Sequence, residues 1–240
     1  MTAFSEELLK WWNDNARHFP WRDEREPYRI LIAEILLHRT RAKNVVPVYL
    51  DFISKFPNIN ALGSASIDEI LSVTASLGLK WRWTMLIEAA RQIVERFGGE
   101  VPLDCGQLLT LPGIGDYLAS AVATFAGGQD CELLDTNTVR VICRVIGEEC
   151  GDSGRRRKAI RNKYSALKGD GNASEFAYSL IDLASLVCLP KNPKCGICPV
   201  SKHCITWMSS SPSDSLSTPH RKKDLPSASS PRSDHHTPPS

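Results

Sequence analysis

Residues 108–144 read LLTLPGIGDYLASAVATFAGGQDCELLDTNTVRVICR: a turn punctuated by proline and glycine, then an apolar-periodic helix, then one acid at the mouth of a second helix. Pro112, Gly113 and Gly115 stand between periodic segments, so the backbone there can adopt positive φ and turn sharply with its amides uncovered. A helix starting near Asp116 adds its first free N–H groups to the Gly113 and Gly115 amides. The result is an anion site that needs no side-chain charge and suits a phosphate. The glycines alone equally describe an ordinary helix–helix turn. Asp135, alone, is an N-cap, a position at which aspartate is among the best residues.

Outward from this stretch the pattern stays helical. Residues 4–17 carry Leu8, Leu9, Trp11 and Trp12 on one face and stop at Phe19-Pro20-Trp21-Arg22. Residues 28–37 are apolar but for Glu34, which lies among Leu31, Ile32, Ile35, Leu36 and Leu37. Spacing allows it a solvent-facing position, while burial would demand partners, because an unpaired buried carboxylate is costly. Val45, Val46, Tyr49, Phe52, Ile53 and Phe56 mark a helix over residues 42–56, and Ser66 with Glu69 has the form of a capping box. Residues 84–97 form an amphipathic helix stopped by Gly98-Gly99. Before it, residues 77–82 combine a glycine turn, an apolar tip at Leu79 and two cations, the pattern of a surface linker or of an exposed probe. The basic run 155–158 reads as a solvated face opening a helix through Leu167, and residues 176–187 form a further apolar helix. No segment alternates with period two, so the expected fold is all-α.

The composition supports a folded core: 42% of the 240 residues are hydrophobic, enough for one or two domains. A net charge of +2 is only weakly basic, so nucleic-acid binding would have to come from local patches. No apolar run approaches the ~20 residues that span a bilayer, and the first residues lack the basic and apolar regions of a signal peptide. The expected location is therefore cytoplasmic, with the eight cysteines reduced. Cys105, Cys131, Cys143 and Cys150 are scattered and read as small core hydrophobes. Cys188, Cys195, Cys198 and Cys204 instead form Cys-x6-Cys-x2-Cys-x5-Cys, and both zinc and iron–sulfur clusters accept such a set. Zinc ribbons usually show two short Cys-x2-Cys knuckles, and this loop has one. From Met208 onward hydrophobes almost vanish, so the tail should be disordered and the folded part should end near Trp207.

Taken together, LPGIGxYxA at 111–119 and LLDTNTVRV at 133–141 resemble the helix-hairpin-helix and Gly/Pro…Asp signature of the DNA glycosylase superfamily that includes endonuclease III and MutY. The resemblance spans roughly residues 11–207. It implies two helical subdomains with the active-site cleft between them: a six-helix barrel over 28–134 holding the hairpin at about 108–127, and a cluster domain over 135–207. Residues 1–27 would pack with the cluster domain, and 208–240 would form the disordered tail. The cysteine spacing matches the [4Fe-4S] loop of these relatives, which makes Cys188, Cys195, Cys198 and Cys204 the ligands and fixes Lys191, Lys194 and Lys202 as a basic edge for DNA phosphates. Gly113, Ile114 and Gly115 would hold a phosphate. The string PYRILIAEILLHRT at 27–40 is similar to the equivalent MutY segment and closer still to thymine-mismatch glycosylases of archaeal type, which places the base-pocket acid at Glu34. His38-Arg39 stands where MutY has paired glutamines, and Leu79 occupies the position of the duplex wedge.

The chemistry implied is N-glycosidic hydrolysis on double-stranded DNA carrying a mismatched or damaged base, by a monomeric protein of the prokaryotic nucleoid. A base must flip out of the stack to be attacked, which a mispaired base does at lower cost. A carboxylate beside C1′, here Asp135, can stabilise the oxocarbenium-like state and orient or deprotonate water. Bifunctional relatives carry a Schiff-base lysine two residues beyond the last motif glycine, where this chain has Tyr117, and a phenol cannot form an imine. Tyrosine there also resembles the archaeal thymine-mismatch enzymes, giving a monofunctional glycosylase for T or U opposite G. An adenine glycosylase of MutY type is the alternative, and a non-catalytic DNA-binding module is a third.

Overall fold

The helices start where the sequence supplies caps. In the computed structural model, which describes residues 1–78, 80–149 and 158–210, Thr2 and Ser5 form a capping box for α1 (Ala3–Asn15). Glu26 accepts from Tyr28 N and Arg29 N at the start of α2 (Pro27–Leu37), where proline opens the helix without losing a needed N–H. α3 (Ala42–Lys55) and the short α4 (Ile59–Gly63), capped by Asn58, follow. The Ser66–Glu69 capping box begins α5 (Ile67–Thr74). After α6 (Lys80–Phe97), Gly98 and Gly99 both take positive φ and end the run. The hairpin is α7 (Cys105–Leu109) and α8 (Asp116–Phe125); then come α9 (Thr136–Ile146), α10 (Lys158–Lys168), α11 (Ala173–Leu186) and α12 (Ile205–Ser210). Among the described residues there is no strand, and the fold is all-α.

Two hydrophobic cores divide these helices. The first gathers Ile32, Phe52, Ile70, Ile93, Leu108 and Val122 from the helices up to α8. The second joins Phe4 and Leu8 of α1 to Val141, Tyr164, Leu180 and Val200. α11 serves both, since Tyr178 enters the first while Leu180 enters the second. Consecutive residues Leu133 and Leu134 also enter different cores, so Asp135 begins its helix at the seam.

The N-terminal segment is fastened by a buried ion cluster. Asp182 of α11 is fully buried and accepts from Arg17 Nε and Arg22 Nη2, both at 2.7 Å, and from Trp12 Nε1 at 2.9 Å. Arg22 also lies over the Tyr178 ring, 4.1 Å from its centroid.

Several expectations change. Residues 80–82 open α6 rather than extend the loop, because Gly78 already makes the turn at φ 73°. α4 and α7 were not expected, being only five residues each. α12 carries helix past Trp207 to Ser210, Met208 N bonding Cys204 O at 3.0 Å. Cys105 and Cys131 are half-buried rather than core, their sulfurs 3.3 Å apart, and Cys143 is disulfide-bonded rather than reduced. Leu79, Cys150, most of the 155–158 run and all but the first residues of the expected tail lie outside the described residues.

Asp182→Ala strands a buried guanidinium and an indole N–H without their acceptor. The expected cost is about 3–5 kcal/mol, read as a lower midpoint in guanidinium chloride, with Asp182→Asn recovering only part of it.

Candidate active site

The hairpin turn needs one left-handed glycine rather than two. Gly113 sits at φ 77°, and a Cβ there would lie 3.0 Å from Met85 Cβ. Gly115 is extended at φ −99°, ψ 177°, a conformation open to any residue, but nothing stands within 4 Å of where its Cβ would be. Openness is therefore what glycine supplies at 115. No side chain caps α8, which leaves the amides at its start uncovered. Ile114 is buried and anchors the turn, its N–H donating to Leu111 O at 3.3 Å. Asp116 in the first turn is approached by Arg161 of α10 at 3.9 Å, and the same guanidinium reaches Glu132 at 3.6 Å.

Two helices of the first core bring Glu34 and Tyr117 together across 83 residues of sequence, the phenol donating to Glu34 Oε2 at 3.1 Å. Glu34 is only 6% exposed. Burial pushes its carboxyl up to about 7, with the Asp135 carboxylate adding to the rise and the Tyr117 hydrogen bond and Arg22 opposing it. Burial, followed by the charges of Glu34 and Asp135, holds the Tyr117 phenol well above its ordinary value, so it remains a donor. Asp135 lies half-buried at the seam. It is indeed an N-cap, its Oδ1 accepting from Asn137 N at 2.9 Å and Thr138 N at 2.7 Å, but Oδ2 takes only the Asn137 side chain, at 2.8 Å. A lone pair of Oδ2 is left for a substrate.

Beside this group opens a cavity of about 380 Å³, lined by Tyr117, Leu134, the hairpin residues 112–116, and Ile35, His38, Arg82 and Met85. That space accommodates a nucleobase. Arg39, next to His38, is exposed and held at φ 63°, unusual for a residue with a side chain. Arg82 was not singled out from the sequence. It donates to Ile35 O at 3.5 Å, His38 O at 3.4 Å and His38 Nδ1, so a cation meets the C-terminal carbonyls of α2. Its signal in the sequence was only that of one of two cations after a glycine turn.

On the far side of Asp135, α9 reaches the cysteine loop. Arg140 donates to Asn137 Oδ1 at 3.0 Å, Cys188 O at 3.1 Å and Ala184 O at 2.9 Å. Arg144 donates to Leu189 O at 2.7 Å and to Cys188 Sγ at 3.3 Å. Burial raises the Cys198 thiol to about 11, and the Cys188, Cys204 and Cys195 sulfurs raise it further, so the four face one another. Among the described residues, no three His, Cys, Asp or Glu converge on a single ion. Four facing sulfurs that meet at no common point suit a polynuclear cluster, in which each thiolate binds its own iron. Lys191 and Lys194 project from this loop into solvent, whereas Lys202 is tied to Glu7 of α1 at 2.5 Å.

The family model for the HhH-GPD superfamily of base excision DNA repair proteins matches residues 32–164. The chain belongs to that superfamily. The iron–sulfur binding domain of endonuclease III matches residues 188–204, from the first loop cysteine to the last, and the loop holds a [4Fe-4S] cluster. The cluster supplies iron–thiolate bonds that fix the loop. Among relatives, a thymine/uracil-DNA glycosylase of Pyrobaculum aerophilum is 36% identical over 84% of this chain and 90% of its own. The human adenine DNA glycosylase is 34% identical over 85% of this chain, which spans only 39% of that protein. The structure of a thermostable thymine-DNA glycosylase superposes with a TM-score of 0.80 at 35% identity, covering 86% of this chain and 95% of that one. A non-covalent endonuclease III–DNA complex shares the fold, with a TM-score of 0.74 at 22% identity. DNA is the partner of this HhH-GPD protein. No described helix is long and apolar enough to cross a membrane.

Glu34 also gives the fold a pH dependence. Its carboxyl lies above the ordinary 4.5, so the folded state binds the proton more tightly than the unfolded chain. This contribution is complete below about 4.5 and is lost as pH rises through about 7. Glu34→Gln should flatten the profile. Chemical denaturation at pH 5 and pH 8 should show unaltered protein losing on the order of 3 kcal/mol more than the variant.

Proposed function

We propose that the chain is a monofunctional, monomeric DNA glycosylase that flips T or U mispaired with G and hydrolyses its N-glycosidic bond. The observation that carries this reading is the buried Glu34–Tyr117 pair beside Asp135, with a phenol where a lyase needs an amine. The thymine/uracil relatives, matched over nearly their full length, support the choice of base. Asp135 stabilises positive charge at C1′ and orients or deprotonates water. Glu34 contacts the flipped base. With its carboxyl near 7, it offers both an acid and a base form at neutral pH. Tyr117 holds Glu34 in place. Gly113, Ile114 and Gly115 with the uncapped start of α8 bind a phosphate, and Lys191 and Lys194 add phosphate contacts from the cluster loop. His38 and Arg39 meet the opposite strand at the cavity mouth, and Leu79 wedges the duplex.

Duplexes carrying T/G, U/G, A/G and A/8-oxoguanine, treated with and without hot alkali, test the assignment. The expected outcome is alkali-dependent breakage of T/G and U/G alone. Excision of A instead would favour the adenine reading, and no abasic sites on any duplex would leave a binding module. Asp135→Asn should bind a T/G duplex as the unaltered protein does while single-turnover excision falls by about 10²–10⁴-fold. Near-normal excision would reduce Asp135 to a helix cap.

Tyr117 decides between glycosylase and lyase. Borohydride should trap no covalent complex with the unaltered protein, whereas Tyr117→Lys should gain inefficient strand cleavage and trapping. Efficient trapping of the unaltered protein would overturn the monofunctional assignment.

A further inference from the structure

Arg82 and His38 form a contact whose donor and acceptor are fixed by chemistry. Guanidinium has five N–H donors and no acceptor, and it stays charged in proteins. When Arg82 Nη2 meets His38 Nδ1, the proton of that bond belongs to arginine, and Nδ1 must present its lone pair. A neutral imidazole accepting at Nδ1 carries its own proton at Nε2. Protonating His38 would break the contact and set two cations against each other.

The same guanidinium is anchored independently of the ring. Its Nη1 reaches Ile35 O and His38 O, so it is held by the carbonyl end of α2 and cannot easily swing away. Burial and then the neighbouring Arg39 lower its pKa from the ordinary value, which places a second cation close by. Arg82 thereby joins two segments at the cavity mouth: the start of α6 after the Gly78 turn, and residues 38–39 after α2, where Arg39 adopts its left-handed backbone.

We infer that Arg82 is a positioning residue that locks His38 as the Nε2–H tautomer, and that this fixed donor reads an acceptor on the base opposite the excised one. The second half rests on the glycosylase reading above. A neutral imidazole adds little to phosphate attraction beside Arg39 and Arg82. What it adds is direction: one donor that accepts nothing favours guanine O6 or N7 over an edge presenting a donor. Swapping in an imidazolium, or the other tautomer, would remove that discrimination without changing the pocket.

The test uses the full chain with its cluster, labelled with ¹⁵N-histidine. Long-range ¹H–¹⁵N spectra, with His38 assigned from His38→Gln, should show the Nε2–H form at neutral pH. An Nδ1–H form or an imidazolium in the unaltered protein overturns the lock, whatever the variants do. Arg82→Met should release His38 into a tautomer mixture. Arg82→Lys, with one donor group to span two carbonyls and a ring, should recover the signal only partly. Binding is then compared on two duplexes with a non-excisable T analogue, opposite guanine or opposite purine, which lacks O6. The unaltered protein should prefer guanine by about five- to tenfold, and both His38→Phe and Arg82→Met should lose that preference while keeping overall salt-dependent binding. An unchanged preference in His38→Phe overturns the base-reading half. Because neither measurement uses turnover, failure to excise T would defeat the function proposed above and leave the tautomer result standing.

Discussion

A carboxyl in the middle of an apolar helix cannot be buried without company, and the architecture of the first core follows from meeting that demand. Glu34 sits in α2 with apolar residues on every side. Its single direct partner is the phenol of Tyr117, which can be there only because the hairpin turn delivers α8 against α2. The turn in turn closes against Met85 of α6, which leaves room at Gly113 for no side chain. Behind the pair, Arg22 contributes a positive charge to Glu34 and is itself held by Asp182 of the other core. The pocket acid thus sits at the end of a chain of charges that fastens the N-terminal segment. Local electrostatics and overall packing are solved by the same residues.

α9 performs the corresponding service for the second core. Asp135 caps one end, Asn137 touches both Asp135 and Arg140, and Arg140 and Arg144 hold the backbone around Cys188. The carboxylate at the seam and the cluster loop are therefore two ends of one rigid helix. A cluster that is remote from the cavity can in this way fix the geometry of Asp135 without entering the chemistry. The exposed Lys191 and Lys194 are carried on the same loop.

Much of this was legible in the chain, and the limits have physical causes. Caps at Ser66, Asp135 and the Gly98-Gly99 stop are local signals, set by residues three or four apart, and they read correctly. The fate of Glu34 was not local. A helix apolar on all sides has no polar face to argue from, and the partner lies 83 residues away. Asp182 was invisible for the same reason, its arginines being 165 and 160 residues distant. The five-residue α4 and α7 are too short for periodicity to register. Gly113 and Gly115 looked alike in the turn, yet one is required by conformation and the other by empty space, a difference that only the neighbouring Met85 reveals.

Position 117 ties the choice of chemistry to the state of the acid. A lysine there would set an ammonium against Glu34, and an adjacent cation lowers a carboxyl's pKa where burial raises it. The pocket would then hold an ionised carboxylate and an amine, a pair suited to attack on the sugar and poorly suited to donating a proton to a leaving base. With tyrosine the balance runs the other way. The phenol is kept protonated by burial and by the two neighbouring carboxylates, and it stabilises Glu34 only as far as a neutral donor can. Glu34 therefore remains near 7 and keeps its acid form available. One substitution removes the covalent route and, through the same hydrogen bond, preserves the protonation on which direct hydrolysis draws.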